Sequence, residues 1–143
     1  MIFDNVTNFY FWSVLVAWLI SCFIKSLIDY YKTKKFNFLS GFRNGGMPSS
    51  HSALMGSITF ALFLHQGLSP VFFLSFVLSA LILRDAVTVR QEVGFLGVEV
   101  NKMLKKNKEP ELKVVYGHTL KQVCVGIIIG VVSSAFFYFV ILL

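Results

Sequence analysis

Ten consecutive residues, Arg43-Asn44-Gly45-Gly46-Met47-Pro48-Ser49-Ser50-His51-Ser52, gather hydroxyls, an imidazole and a guanidinium around a glycine pair. Glycine lets a backbone approach a ligand closely, proline suits a first helical turn, and the unpaired amides of that turn bind anions. The segment reads as a phosphate or carboxylate cradle at the start of a helix. An ordinary helix cap would account for Ser49 or Ser50, but not for His51 and Arg43 as well. A second imidazole stands in Tyr116-Gly117-His118-Thr119, just ahead of the last apolar run, while Arg84, Asp85 and Arg90 follow an apolar stretch that begins at Pro70. Ionisable groups that deep in an apolar segment usually face a bundle interior or an aqueous cavity, so Asp85 is expected to be buried; an internal ion pair is the plainer alternative. Two histidines, several cations and no carboxylate-histidine cluster of metal-ligand spacing suggest phosphoryl transfer without a metal or other cofactor. One imidazole would attack phosphorus and the other would protonate the leaving oxygen. His65 falls in a turn at the opposite end and is expected to take no part.

The elements that must hold these residues are membrane helices. Of the 143 residues 56% are hydrophobic and only 14% charged, against roughly 25% charged in soluble domains. That composition excludes a soluble Rossmann enzyme, a disulfide-stapled secreted domain and a disordered tail. In so apolar a chain the net charge of +6 points to membrane topology and anionic headgroups rather than to nucleic acid. Cys22 and Cys124 lie inside apolar runs and read as packing residues. The N-terminus lacks a basic leader, so the first apolar run reads as a retained helix rather than a cleaved signal peptide.

A bilayer core of about 30 Å takes about 20 helical residues. Stretches free of Asp, Glu, Lys and Arg run from 5 to 24, from 44 to 83 and from 122 to 143. The middle stretch is long enough for two spans around the turn His65-Gln66-Gly67-Leu68-Ser69-Pro70. The expectation is a single all-α domain over 1–143, a four-transmembrane-helix bundle with spans at about 5–24, 48–65, 69–90 and 119–142. All thirteen Lys and Arg fall in two blocks, five from Lys25 to Arg43 and eight from Arg84 to Lys121. Four spans place both blocks on one side, which the positive-inside rule makes the cytoplasm, with both termini outside. Val93, Leu96, Val100, Met103 and Leu104, opposed by Glu92, Glu99, Lys102 and Lys106, predict an amphipathic helix along the interface. Gly126 and Gly130, and likewise Ala53, Ser57 and Ala61, have small-xxx-small spacing, read here as close helix packing rather than a dimer seam.

From about Phe9 to Val140 the chain resembles the divergent branch of the type 2 phosphatidic acid phosphatase superfamily, the group related to acid phosphatases and vanadium-dependent haloperoxidases. The resemblance rests on Gly45 through Ala53, then Asp85-Ala86 with Arg90, then Gly117-His118-Thr119 with Val123 and Gly126. The superfamily motifs are K-x6-R-P, P-S-G-H and S-R-x5-H-x3-D. Lys25 and Lys32 have the first spacing, with Lys in place of Arg and no Pro after it. Pro48-Ser49-Ser50-His51 matches the second motif with Ser for Gly, which implies His51 as general acid and Ser49 and Ser50 as phosphate ligands. His118 matches the nucleophile of the third. Leu112 stands where that motif has Arg, making Arg90 the candidate replacement, and Gln122 stands where it has an acid.

The resemblance implies a metal-independent lipid phosphate phosphatase that acts on a phosphomonoester of the phosphatidic acid, phosphatidylglycerophosphate or polyprenyl phosphate type through a phosphohistidine. Its catalytic residues would be His118 and His51, with Gln122 beside His118 and Asp85 supplying negative charge from across the bundle. Lys25, Arg43, Ser49, Ser50 and Arg90 would bind phosphate. The expected partners are the lipid phosphate substrate and membrane lipids, not nucleic acid, in a plasma (inner) membrane with the site toward the cytoplasm. A phosphotransferase of the same superfamily, and a non-catalytic anionic-lipid binder or scaffold, remain as alternatives.

Overall fold

A computed structural model describes residues 4–34, 41 and 45–143, and they are helical apart from connections. Helix α1 spans Asn5–Thr33. The Asp4 carboxylate accepts the Thr7 N–H at 2.7 Å to cap its first turn, and Lys34 ends it in the left-handed region with its N–H on the Tyr30 carbonyl. At 1.5 Å per residue this helix is about 43 Å long, which carries it beyond Ile24, where the uncharged stretch stops.

Helix α2 runs Ser50–Gln66 and α3 Pro70–Val87. Gly67, at φ 62°, closes α2 on the Phe63 carbonyl, and Ser69 caps α3 with Pro70 in its first turn. Pro48 lies one residue before the Ser49 cap rather than inside the helix. The span expected to continue to residue 90 ends at Val87. There Thr88 returns both its N–H, at 2.8 Å, and its hydroxyl, at 2.7 Å, to the Arg84 carbonyl. Arg90 therefore belongs to helix α4, Val89–Lys106. Beyond α4 the chain runs back along it without helix. The Asn101 amide donates to the Leu112 carbonyl at 2.8 Å and accepts the Leu112 N–H at 2.7 Å. Helix α5, Leu120–Phe137, continues as a π-helical turn through Leu142.

The bundle is held by small residues. α5 packs most extensively on α2, and both pack on α1. Ser13, Ala17 and Ser21 of α1 are buried with Ser52, Ala53, Ser57 and Ala61 of α2 and Gly126, Gly130, Ser133 and Ser134 of α5. A Cβ on Gly126 would meet the Ser49 carbonyl, and one on Gly130 the Ala53 carbonyl. Close approach of this kind is how helices associate where no hydrophobic drive acts between them, and serine bonds join in. The Ser134 hydroxyl donates to the Ser57 carbonyl at 2.8 Å, and Ser133 to the Ser13 carbonyl at 2.8 Å. Helix α3 leans on α2, with Thr59 bonded to Ser75 at 2.9 Å and to Ser79 at 2.8 Å. Its remaining surface leaves Phe73, Leu74, Phe76, Val77 and Leu81 exposed, as suits a helix bathed in lipid.

Among the described residues three helical stretches are long and apolar enough to cross a membrane: Asn5–Thr33, Pro70–Lys106 taken through the Thr88 break, and Leu120–Leu142. Helix α2, with 17 residues, falls short of the usual length for a span, so the structure supports three spans directly and leaves the fourth to be argued from topology. α4 is amphipathic as expected, and Val93, Leu96, Val100 and Met103 on its apolar arc are exposed. The Gly126 and Gly130 seam is an intramolecular contact.

Because the atoms facing Gly130 are backbone, they cannot swing away. Gly130→Ala should destabilise the folded protein by about 1–3 kcal/mol, as overpacking typically does, and lower its melting temperature in detergent. Ile128→Ala, on the exposed side of α5, should melt almost as the unaltered chain does. Equal melting of the two variants would contradict the packing seam.

Candidate active site

Two helix N-termini meet at one end of the bundle. The Ser49 N–H donates to the Gln122 carbonyl at 3.1 Å, fastening the cap of α2 to the first turn of α5. The His118 N–H donates to the Ala86 carbonyl at 2.9 Å, and the Gln91 amide to the His118 carbonyl at 3.0 Å, which fastens His118 to the α3–α4 junction. Gly117 makes this docking possible, since a Cβ there would lie 2.7 Å from the Ala86 carbonyl and 2.8 Å from the Gln91 nitrogen. Gly45 and Gly46 both have φ of 83°, a conformation that other residues rarely adopt. It lays their loop against the Tyr116 carbonyl and the Lys25 stem.

These constraints enclose a cavity of about 370 Å³, a size typical of small-ligand sites. Its chemical groups are Lys25 from α1, Ser50 and His51 from the start of α2, Arg90 from the start of α4, and His118. Trp18, Cys22, Val93, Val115 and Tyr116 supply apolar wall. No carboxylate is among the described lining residues. Two imidazoles, a lysine and a guanidinium around helix-terminal amides suit a dianionic phosphate. Lys25 and His118 are nearly inaccessible, at 7% and 4% exposure, so their electrostatic effect is little screened by water.

His118 is the most closely controlled group. Gln122 completes a capping box at the head of α5: Thr119 accepts the Gln122 N–H through its hydroxyl, and the Gln122 side-chain oxygen accepts the Thr119 N–H at 3.0 Å. The same oxygen lies 3.2 Å from Nδ1 of His118. An oxygen that already receives an N–H in the box can only accept, so this contact favours a proton on Nδ1. His118 precedes the membrane-spanning part of α5, and its pKa lies below the ordinary histidine value. Burial is the main cause; the Gln122 bond opposes it, the charges of Lys25 and His51 add to it, and a backbone bond with Gly46 opposes it again. The ring is therefore held neutral near pH 7.

Of the residues expected from sequence, Lys25, Ser50, His51, Arg90 and His118 share the cavity, and Gln122 stands directly behind His118. Ser49 is fully buried, with its hydroxyl accepting from the Ser52 N–H at 3.3 Å and from the Ser52 hydroxyl at 2.9 Å. It serves as the cap of α2 and lies outside the cavity wall. Asp85 departs from expectation: its side chain is about half exposed, at 48%, because α3 ends two residues later and opens to solvent. Its carboxylate accepts from Nε of Arg90 at 3.2 Å, and Gln122 takes the place beside the imidazole. Arg43 lies outside the described residues. Trp18 and Cys22 were missed as lining groups. Their spacing with Lys25, i, i+4 and i+7, puts all three on one helical face and was legible in the sequence.

The profile of the divergent PAP2 family matches residues 6–133. The chain is also similar to the uncharacterized membrane protein YuiD of Bacillus subtilis (strain 168), at 28% identity over 92% of this chain and 94% of that protein. No solved structure is significantly similar. The family match covers both arms of the histidine cavity and all the helices that bring them together, and with the apolar helices it makes this chain an integral membrane protein of the divergent PAP2 family.

Proposed function

We propose that the protein is a membrane-embedded lipid phosphate phosphatase that hydrolyses a phosphomonoester through a phosphohistidine. The observation that carries this reading is the pairing, in one cationic cavity at one end of the bundle, of an imidazole whose Nδ1 faces the Gln122 side-chain oxygen with a second imidazole at a helix N-terminus. In the proposed reaction Nε2 of His118 attacks phosphorus, the ester P–O bond breaks, and His51 gives its proton to the departing alcohol oxygen. Water, deprotonated by His51, then cleaves the P–N bond, releasing phosphate and restoring both rings. Lys25, Arg90, Ser50 and the first amides of α2 hold the equatorial oxygens in both steps. Gln122 fixes the tautomer of His118, and Asp85 positions Arg90. Arg43 completes the cation set in this reading, with Ser49 acting through the helix it caps.

The charge blocks favour four spans, with α2 crossing most of the bilayer at about 26 Å. The cavity then opens toward the cytoplasmic side of a plasma membrane and both termini lie outside. A second reading, a non-catalytic binder of anionic lipid, is favoured by one feature: Gln122 gives His118 an acceptor without the full negative charge that would stabilise a phosphoimidazolium. Phosphate release by purified protein from a panel of lipid monophosphates separates the two, since the binder releases none. A phosphotransferase would instead pass phosphate to an added alcohol.

Three outcomes test the details. A single cysteine replacing the exposed Lys106 should resist an impermeant thiol reagent in intact cells and react after permeabilisation; labelling in intact cells would reverse the topology. His118→Ala should abolish phosphoenzyme formation. His51→Ala should lose about 10² to 10⁴-fold in rate on an alkyl phosphate but far less on an ester whose leaving group needs no proton. Equal losses on both esters would remove His51 from the acid role. The third outcome concerns pH. Because His118 titrates below an ordinary histidine, its neutral form persists as pH falls through the usual range and is lost only further down. A ring-nitrogen NMR titration should place its pKa below the model-peptide value of about 6.5. Lys25→Met removes a repelling charge and should move that pKa upward; an unchanged or lower pKa would contradict the arrangement.

A further inference from the structure

A second concavity, of about 520 Å³, lies along the outer face of α1 where it meets α2. It is lined by Tyr10, Phe11, Val14, Leu15 and Trp18, with Leu54 from α2, and its surface is almost wholly carbon. Trp18 also lines the histidine cavity. Trp18 thus borders both the cationic cavity and the apolar crease. Tyr10, Val14 and Trp18 recur at i, i+4 and i+8, so the crease follows the axis of α1 away from Lys25. From Trp18 to Tyr10 it runs about 12 Å, and from Lys25 to Tyr10 about 22 Å, within the roughly 30 Å of a bilayer core. At its far end the Tyr10 hydroxyl bonds Nδ1 of His65 at 2.9 Å, with the Gln66 amide 3.5 Å away. The crease thereby joins a phosphate-suited cavity to a polar cluster at the turn on the opposite side of the bundle. The exposed face of α3 is no less apolar but touches no charged cavity.

We propose that this crease seats one long hydrocarbon chain of the lipid monophosphate whose phosphate occupies the histidine cavity, with Trp18 at the junction between head and tail. The assignment rests on the phosphatase reading for the identity of the headgroup, but chain seating requires binding alone. It makes the preferred ligand a single-phosphate amphiphile that enters sideways from the bilayer, and it gives Trp18 and Val14 a part in substrate selection.

The test uses the full chain carrying His118→Ala, so that turnover plays no part, reconstituted in phosphatidylcholine vesicles. Two probes are added at trace level, a phosphatidic acid and a polyprenyl monophosphate, each with a photoreactive diazirine in the chain. Adducts mapped by mass spectrometry should concentrate at Tyr10–Trp18 and Leu54 for at least one probe, which also distinguishes an acyl from an isoprenoid chain. Excess unlabelled lipid phosphate should displace them and the corresponding neutral lipid should not. Val14→Trp, which fills the crease, should cut them at least fivefold, and Leu74→Trp on the exposed face of α3 should leave them unchanged. Adducts spread evenly over α1 and α3, or indifferent to both the competitor and Val14→Trp, would overturn the seat. Adducts in the crease with no phosphate release from the unaltered chain would sink the phosphatase reading and keep the seat; phosphate release with scattered adducts would do the reverse.

Discussion

The site depends on how closely α2 and α5 approach. Gly126 and Gly130 offer no side chain, and the backbone of α2 occupies the space where one would be. That contact brings the Ser49 amide onto the Gln122 carbonyl and sets two helix N-termini side by side. Each N-terminus carries one histidine, His51 within the first turn of α2 and His118 two residues ahead of α5. Were the helices held apart by ordinary side chains, with axes nearer the usual 8–10 Å separation, the imidazoles would face separate openings. Small residues in this bundle place the two histidines as well as pack the helices, because lipid supplies no hydrophobic force to drive the helices together.

One hydrogen-bond chain then sets the character of His118. The Thr119 and Gln122 capping box satisfies helix-end groups that any helix must satisfy. Its side-chain oxygen also meets Nδ1, so the device that starts the helix also orients the imidazole. A glutamate could do both and add charge; a glutamine leaves the ring more easily neutral and less able to carry a positive phosphoimidazole. The cations around the cavity act in the same direction, favouring a neutral imidazole.

Arg90 shows how the break at Thr88 matters. Had α3 continued through Arg90, as the sequence led one to expect, Arg90 and Asp85 would lie on one straight helix. Instead the chain turns, Arg90 enters the cavity from the first turn of α4, and the Asp85 carboxylate reaches outward to hold its Nε. The backbone of Gly117 lies in the space this turn leaves, which draws His118 toward the same point.

The sequence alone determined the membrane class, the all-helical fold, the amphipathic character of α4 and the two histidine segments. These follow from local composition and spacing: runs without charge, a 3.6-residue period, and glycine, proline and serine at helix starts. The grouping of Lys25 with His51, Arg90 and His118 was foreseen from motif resemblance, and the Trp18-Cys22-Lys25 face was open to the same periodicity argument. What only the tertiary structure decided was where the side chains end up at helix ends and breaks. Asp85 is half exposed rather than buried because its helix ends two residues on, at Val87, and Ser49 is a cap because its own helix begins one residue later. The crease beside Trp18 arises from the angle between two helices, which no single segment encodes. Those outcomes depend on contacts between residues distant in the chain, where sequence spacing carries no geometric information.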